Sequence, residues 1–163
     1  MRVQLLTLLS SLGVLGLAAC GAPSTPDFVA KAAMNNLYVI EAGKIAGEKG
    51  QSEAVKQFGV ETSEAHGKIN EDLSAIVRAE KLEADMPDAL DGRHQGMIKV
   101  LSGAKPEDFD KIYAQQQVNA FKRAVDLFDR YAEQGENPAL KQFAANMLPV
   151  MKRNQGRAKK LLH

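Results

Sequence analysis

The sequence PEDFDKIYAQQQVNAFKRAVDLFDRYAEQ, residues 106–134, has the longest clean helical pattern in the chain. Pro106 suits the first helical position, and Glu107 and Asp108 put negative charge where the helix dipole favours it. A helix of this length spans roughly 40 Å, which is enough for one rod of a bundle. Its apolar residues recur at steps of three, four or seven and therefore form one stripe: Phe109, Tyr113, Ala120, Ala124, Leu127 and Tyr131.

Other parts of the chain have similar amphipathic patterns, and no strand-like alternation is long enough to matter. Four long helices with mostly short connections predict an all-α four-helix bundle, running up-down-up-down, with an additional short helix between the second and third long helices. The last helix should continue past Pro149, because its apolar stripe continues. The other predicted helices are Pro26 to Lys49 with Thr25 as N-cap, Ser52 to about Glu83, about Arg93 to Leu101, and one beginning at Asn137-Pro138.

The N-terminus is typical of a secretory signal, with Arg2, an apolar run over residues 3–19 and a small-residue exit. The run is too short and interrupted for a spanning helix. Leu17-Ala18-Ala19-Cys20-Gly21 resembles the bacterial lipobox, and Cys20 is the single cysteine of the chain. The resemblance implies cleavage before Cys20 and its lipidation, which anchors the protein to a membrane. The predicted organisation is a signal peptide over 1–19, a lipidated tether over 20–25 and a bundle domain over 26–163.

The residue after the cysteine and the net charge indicate where this protein is found and what it does not bind. Gly21 stands where bacterial inner-membrane lipoproteins often carry Asp, so the predicted location is the outer membrane, facing the periplasm of the bacterial cell envelope. Removing the signal takes away one base, Arg2, and no acid, which leaves a net charge of zero. No basic surface for nucleic acid is indicated. The alternative to a lipid-anchored protein is an ordinary exported protein in which Cys20 is a free thiol.

Short pieces spread over residues 27–161 resemble a bacterial family of unknown function. Its members are exported, often described as predicted outer-membrane proteins, and assigned a ferritin-like four-helix fold. That fold is what the resemblance implies here. The matching pieces are Phe28-Val29, Ala32-Ala33, Asn36, Glu41, Gly43, Ala46, Val55-Lys56, Phe58, His66, Leu101-Ser102-Gly103, Phe109-Asp110, Tyr113, Gln117, Phe143-Ala144, Leu148-Pro149 and Ala158.

Three positions depart from the family pattern. Ala65 stands where relatives usually have a carboxylate, and Phe121 and Asn154 stand where they have histidines. Of three family histidines only His66 remains. The resemblance therefore implies that this chain performs less of whatever chemistry those histidines support.

Four polar residues on or beside apolar stripes predict a polar layer in the core that fixes the register of the bundle: Glu41, His66, Tyr113 and Gln117. A buried carboxylate beside a histidine is costly unless the two are paired, so Glu41 and His66 are expected to bond each other or Gln117.

A metal site is the sharpest chemical hypothesis. Di-metal centres of ferritin-like bundles need two Glu-x-x-His motifs, and the chain has none. A mononuclear site from Glu41, His66 and one further carboxylate such as Asp110 stays open as a weaker alternative. No other cofactor is predicted.

No nucleophile–base pair or phosphate-binding loop is readable, so the sequence favours a non-catalytic role without deciding whether the chain is an enzyme. The first hypothesis is a non-catalytic envelope lipoprotein, an interaction or structural module with an unknown protein partner. The alternative is a ferritin-like metal-binding or oxidative-stress protein with a degenerate site.

Overall fold

The computed structural model describes residues 21–163, and all its regular structure is helical. The predicted signal peptide and Cys20 lie outside the described residues. The prediction of an all-α bundle with one short helix between the second and third long helices is confirmed. The helices are α1 (Thr25–Lys49), α2 (Glu53–Ala79), α3 (Gly92–Ser102), α4 (Pro106–Gln134) and α5 (Pro138–Lys160). None of them is long and apolar enough to cross a membrane.

Polar caps set most of the helix starts. The Ser52 hydroxyl accepts from Val55 N at 3.3 Å, and Asn137 Oδ1 accepts from Leu140 N at 2.9 Å. Both caps satisfy N–H groups that have no partner within the helix. The N-cap of α1 is Ser24 rather than the predicted Thr25, and α2 ends at Ala79, short of the predicted Glu83. Helix α5 continues through Pro149, as predicted.

The predicted up-down-up-down order is wrong. The Asp110 carboxylate, in the first turns of α4, accepts from the backbone N–H groups of Gln51 and Ser52 at 2.8 Å each. The starts of α2 and α4 therefore lie at the same end of the bundle, so these helices are parallel. The connection 80–105, which contains α3, returns along the length of the bundle. A single long crossover between two antiparallel helix pairs is the arrangement of ferritin-like folds.

The two helix hairpins, α1 with α2 and α4 with α5, have the most extensive packing. Helix α1 also packs on α4, and α2 packs on α5. This places α2 and α4 on one diagonal of the bundle, where their buried side chains meet in the centre. Ring contacts show the meeting: Phe58 of α2 lies 6.2 Å from Tyr113 and 6.3 Å from Phe121 of α4, measured between ring centroids.

Helices α1 and α2 approach each other at two glycines. A Cβ atom added to Gly43 would lie 2.5 Å from the Gly59 carbonyl oxygen, and one added to Gly59 would lie 2.6 Å from the Gly43 carbonyl oxygen. Both obstacles are backbone atoms, which cannot move aside as a flexible side chain can. The two helices therefore hold their spacing only while both positions lack a side chain.

We expect Gly43→Ala to lower the free energy of unfolding by about 1–3 kcal/mol, because the added methyl forces the α1–α2 backbones apart. Gly67→Ala in α2 is the matched control, since a Cβ there meets nothing within 4 Å. That change should raise stability by about 1 kcal/mol through helix propensity alone. Urea unfolding followed by circular dichroism measures both, and equal effects of the two substitutions would contradict the packing argument.

Candidate functional site

Glu41 does not belong to the buried polar layer that the sequence predicts, because its side chain is exposed. Asn36 occupies the buried position beside His66 that was expected for Glu41. Asn36 is 1% exposed, and its Oδ1 lies 2.8 Å from His66 Nδ1. Five helical residues rotate a side chain by about 140°, so the two positions cannot face the same way. The spacing of Asn36 from Val29, Ala33 and Val39 puts it on the buried stripe, a signal that sequence analysis did not use.

His66 is completely buried in the middle of α2. Because Asn36 Oδ1 accepts a hydrogen bond, His66 Nδ1 carries the ring proton and Nε2 presents a lone pair. This Nε2 has no hydrogen-bond partner in the protein. Burial lowers the pKa of His66 to about 4, so the ring is neutral. The ring of Phe121, where relatives have a histidine according to the resemblance, packs 5.6 Å away.

Tyr113 and Gln117 bring polar groups of α4 into the buried centre of the bundle, one helical turn apart and both 0% exposed. Both amide atoms of Gln117 have no protein partner, and the Tyr113 hydroxyl lies near the Thr62 side chain without reaching hydrogen-bond geometry. Burial raises the pKa of Tyr113, so its phenol stays protonated. We call Asn36, His66, Tyr113 and Gln117 the core polar cluster. It contains a lone pair, a hydroxyl and an amide that are shielded from solvent.

The neighbouring Gln116 has a different role from Gln117. Its Oε1 accepts from the Tyr38 hydroxyl at 2.7 Å, and its Nε2 donates to the Met97 carbonyl at 3.1 Å. Gln116 therefore joins α4 to α1 and to α3. Gln116 therefore has partners on facing helices, whereas the amide atoms of Gln117 have none among the described residues.

The three residues named for a mononuclear metal site do not converge. Glu41 is exposed, Asp110 binds the start of α2, and His66 lies about 20 Å further along that helix at 1.5 Å per residue. Across residues 21–163 no group of three histidine, cysteine or carboxylate side chains is arranged to hold a metal ion. The Asp91–His94 pair, which has the Asp-x-x-His spacing, starts α3: Asp91 Oδ1 accepts from both His94 N and His94 Nδ1 at 2.8 Å.

A groove of about 660 Å³ opens on the side where α1, the crossover, α3 and α4 meet. Sequence analysis did not predict it, since residues far apart in the chain build it. Apolar side chains and charged groups of both signs line the groove: Asp27, Ala30, Lys31, Met34, Asn35, Asp85, Pro87, Asp91, Arg93, His94, Arg123, Ala124, Asp126, Leu127 and Arg130. Its volume falls within the range of small-molecule sites.

Comparison with known proteins identifies the family. A family model described as "Domain of unknown function (DUF4142)" matches residues 16–161. The chain belongs to the DUF4142 family. No curated protein matches it. Among solved structures the chain is similar to a DUF305 fragment from Deinococcus radiodurans, with a TM-score of 0.72 at 12% identity over 86% of this chain and 97% of that chain.

At 12% identity the DUF305 likeness concerns the fold of the DUF4142 domain and nothing more. It agrees with the helical bundle described above. Neither comparison assigns a reaction, a ligand or a partner, so the core polar cluster and the groove are the features of the DUF4142 domain from which a role can be argued.

The buried, neutral His66 should make stability depend on pH. The unfolded chain protonates this ring near its ordinary pKa of 6.5, and the folded chain only near 4. Between these values the unfolded state binds more protons, so the stabilisation is complete above about pH 6.5 and is lost as pH falls toward 4. We expect the free energy of unfolding to fall by about 3 kcal/mol between pH 6.5 and pH 4.

His66→Gln should flatten this dependence, which urea unfolding at a series of pH values measures. His163→Gln is the control, because His163 is exposed at the C-terminal end and should leave the slope unchanged. A wild-type slope that persists in His66→Gln would refute the assignment to His66.

Proposed function

We propose that this protein is a lipid-anchored component of the bacterial cell envelope, a non-catalytic helical interaction or structural module that faces the periplasm from the outer membrane. The observation that carries the proposal is the position of Cys20. It is the single cysteine, directly follows the apolar run over residues 3–19, and stands five residues before the start of α1.

The beginning of the bundle is compatible with such a tether. Gly21 is exposed, and the helix starts at Thr25, whose hydroxyl lies 2.6 Å from the Tyr131 hydroxyl at the end of α4. The four residues between Cys20 and α1 can span about 14 Å when extended. A lipid on Cys20 would therefore hold the domain close to the membrane surface. Two or more acyl chains give a stable anchor.

The non-catalytic part of the proposal is supported by the closure of the core. The core polar cluster contains the histidine, phenol and amide most suited to chemistry, yet these side chains are 0% exposed. General acid–base catalysis needs a group within hydrogen-bond reach of a substrate atom, which this burial prevents without opening the bundle. A role as a rigid module in contact with other envelope components fits this arrangement better than turnover does.

The lipid anchor predicts that Cys20→Ala moves the protein from the membrane fraction to the soluble fraction of a bacterial host. Metabolic labelling with a radioactive fatty acid should mark the wild type and not the variant. Ser24→Ala is the control, since it changes a nearby exposed residue without removing the thiol. A Cys20→Ala protein that still fractionates with membranes after a carbonate wash would overturn the anchor.

A second candidate is a ferritin-like metal-binding or oxidative-stress function with a degenerate site. The specific observation in its favour is the unpartnered lone pair of His66 Nε2 on the same diagonal as Tyr113 and Gln117. Histidine nitrogen and amide oxygen are both known ligands of divalent metals. Against this candidate, the carboxylates that a metal site would need lie at the surface and not beside His66.

Metal analysis of the purified full chain tests the second candidate. Stoichiometric iron, zinc, copper or manganese that disappears in His66→Gln but persists in His94→Gln would favour metal binding over the non-catalytic reading. Less than one tenth of an equivalent of each metal after incubation and desalting, in a chain that remains folded, would exclude it.

A further inference from the structure

The groove between α1, α3 and α4 contains two guanidinium groups that the fold does not pair. Arg93 lies at the start of α3 and Arg123 in the middle of α4, and both line the groove. The four ion pairs found within residues 21–163 join other side chains. Arg123 Nη2 is shielded from solvent and has no hydrogen-bond partner.

The position of Arg123 is unfavourable for the domain by itself. Burial and the neighbouring Arg93 charge both lower the pKa of Arg123, which means that both disfavour its charged form. The nearby Tyr38 offers little relief, because its hydroxyl donates to Gln116. A buried donor without a partner destabilises the folded protein, and more so when it is charged. Arg123 as a whole is partly exposed, and none of the ion pairs among the described residues includes it, so an anion in the groove would stabilise its charge.

A neutral donor accompanies the two arginines. The Asn35 amide lines the groove, and its Nδ2 is buried without a partner. Asn35 and Arg123 come from different helices, so the unpaired donors do not arise from a single local feature. Two guanidinium groups and an amide N–H are complementary to carboxylate oxygens, which guanidinium groups bind in a bidentate manner.

The acids of the groove favour a ligand with a single negative charge. Asp27 pairs with Lys31 at 3.5 Å, and Asp91 pairs with His94. Asp85 and Asp126 also line the groove and are exposed. A phosphate monoester with nearly two charges would meet more repulsion from these carboxylates than a carboxylate with one.

The apolar side chains of the groove indicate the chemistry of the rest of the ligand. Met34 and Leu127 face the groove together with small apolar side chains, so one wall is hydrophobic while the arginines supply the polar end. A volume of about 660 Å³ admits a small organic molecule. An apolar body next to a charged head is the combination that this lining accommodates.

We propose that this groove binds a small organic monocarboxylate, with its carboxylate on Arg123, Arg93 and Asn35 and its apolar body against Met34 and Leu127. The proposal is independent of the lipid anchor and of the core polar cluster. It assigns a ligand class to a surface that sequence analysis did not identify.

Four probes of similar size test the ligand class: benzoate, phenyl phosphate, benzyl alcohol and benzylammonium. Each is titrated into the full chain in a nonionic detergent and followed by calorimetry and by NMR of the arginine side chains. We expect benzoate to bind at least tenfold more tightly than benzyl alcohol or benzylammonium, and to shift the Arg123 signals. Tighter binding of phenyl phosphate than of benzoate, or equal binding of benzoate and benzyl alcohol, would overturn the proposal.

Variants locate the site. Arg123→Gln should weaken benzoate binding at least tenfold, and Arg93→Gln should weaken it less, because Arg93 is more exposed. Arg153→Gln, an exposed arginine of α5 outside the groove, is the matched control and should change affinity less than twofold. Arg123→Gln should be no less stable than the wild type without ligand, since it removes an unpaired charge. Unchanged benzoate affinity in both groove variants would refute the assignment.

Discussion

The contact between the Asp110 carboxylate and the start of α2 determines how the two helix hairpins are joined. Its two oxygens accept from the Gln51 and Ser52 N–H groups, which the helix itself leaves unpaired. The negative charge also lies at the positive end of the α2 dipole. Lys49 reinforces the junction by donating to the Ser102 carbonyl at 2.9 Å. With the starts of α2 and α4 held together, residues 80–105 must cross the whole bundle. The groove and the diagonal core both follow from that crossing.

The diagonal pairing of α2 and α4 explains why the centre of this bundle is partly polar. Side chains from opposite corners meet there, and the Phe58 ring packs against the rings of Tyr113 and Phe121. His66 and Gln117 lie among them with atoms that have no protein partner. Unpaired buried groups are rare in folded proteins and call for an explanation by water, an ion or function. The nearby surface ion pair of Arg157 with Glu61, at 2.5 Å, shows that polar pairs between α2 and α5 are satisfied closer to solvent.

The crossover, residues 80–105, makes one side of the bundle different from the others, because α3 packs there and leaves a groove beside α1. Helix α3 is held on α1 and α4 through Gln116 and through the His94 ring, which packs 5.3 Å from Tyr38. Its placement leaves a space beside α1 into which Arg93 and Arg123 project without carboxylate partners. Proteins commonly break local rules of charge pairing at functional sites. A partly buried arginine with an unpaired Nη2, beside another arginine, is such a violation, and it distinguishes this groove from the solvated charges elsewhere on the described surface.

The sequence by itself determined the helices, their approximate ends and the fold class, because helical periodicity, caps and prolines are local signals. It also identified His66, Tyr113 and Gln117 as buried candidates, since they follow the apolar stripes. It did not place Glu41 correctly, because one position of helical rotation separates a residue beside the stripe from one facing solvent. Only the tertiary structure decided that α2 and α4 run parallel and that Asn36 rather than Glu41 is buried beside His66. It also decided the capping role of Asp110 and the presence of the groove between α1, α3 and α4. Each of these depends on residues brought together from distant parts of the chain, and the spacing within any one helix carries no information about which helix will face it.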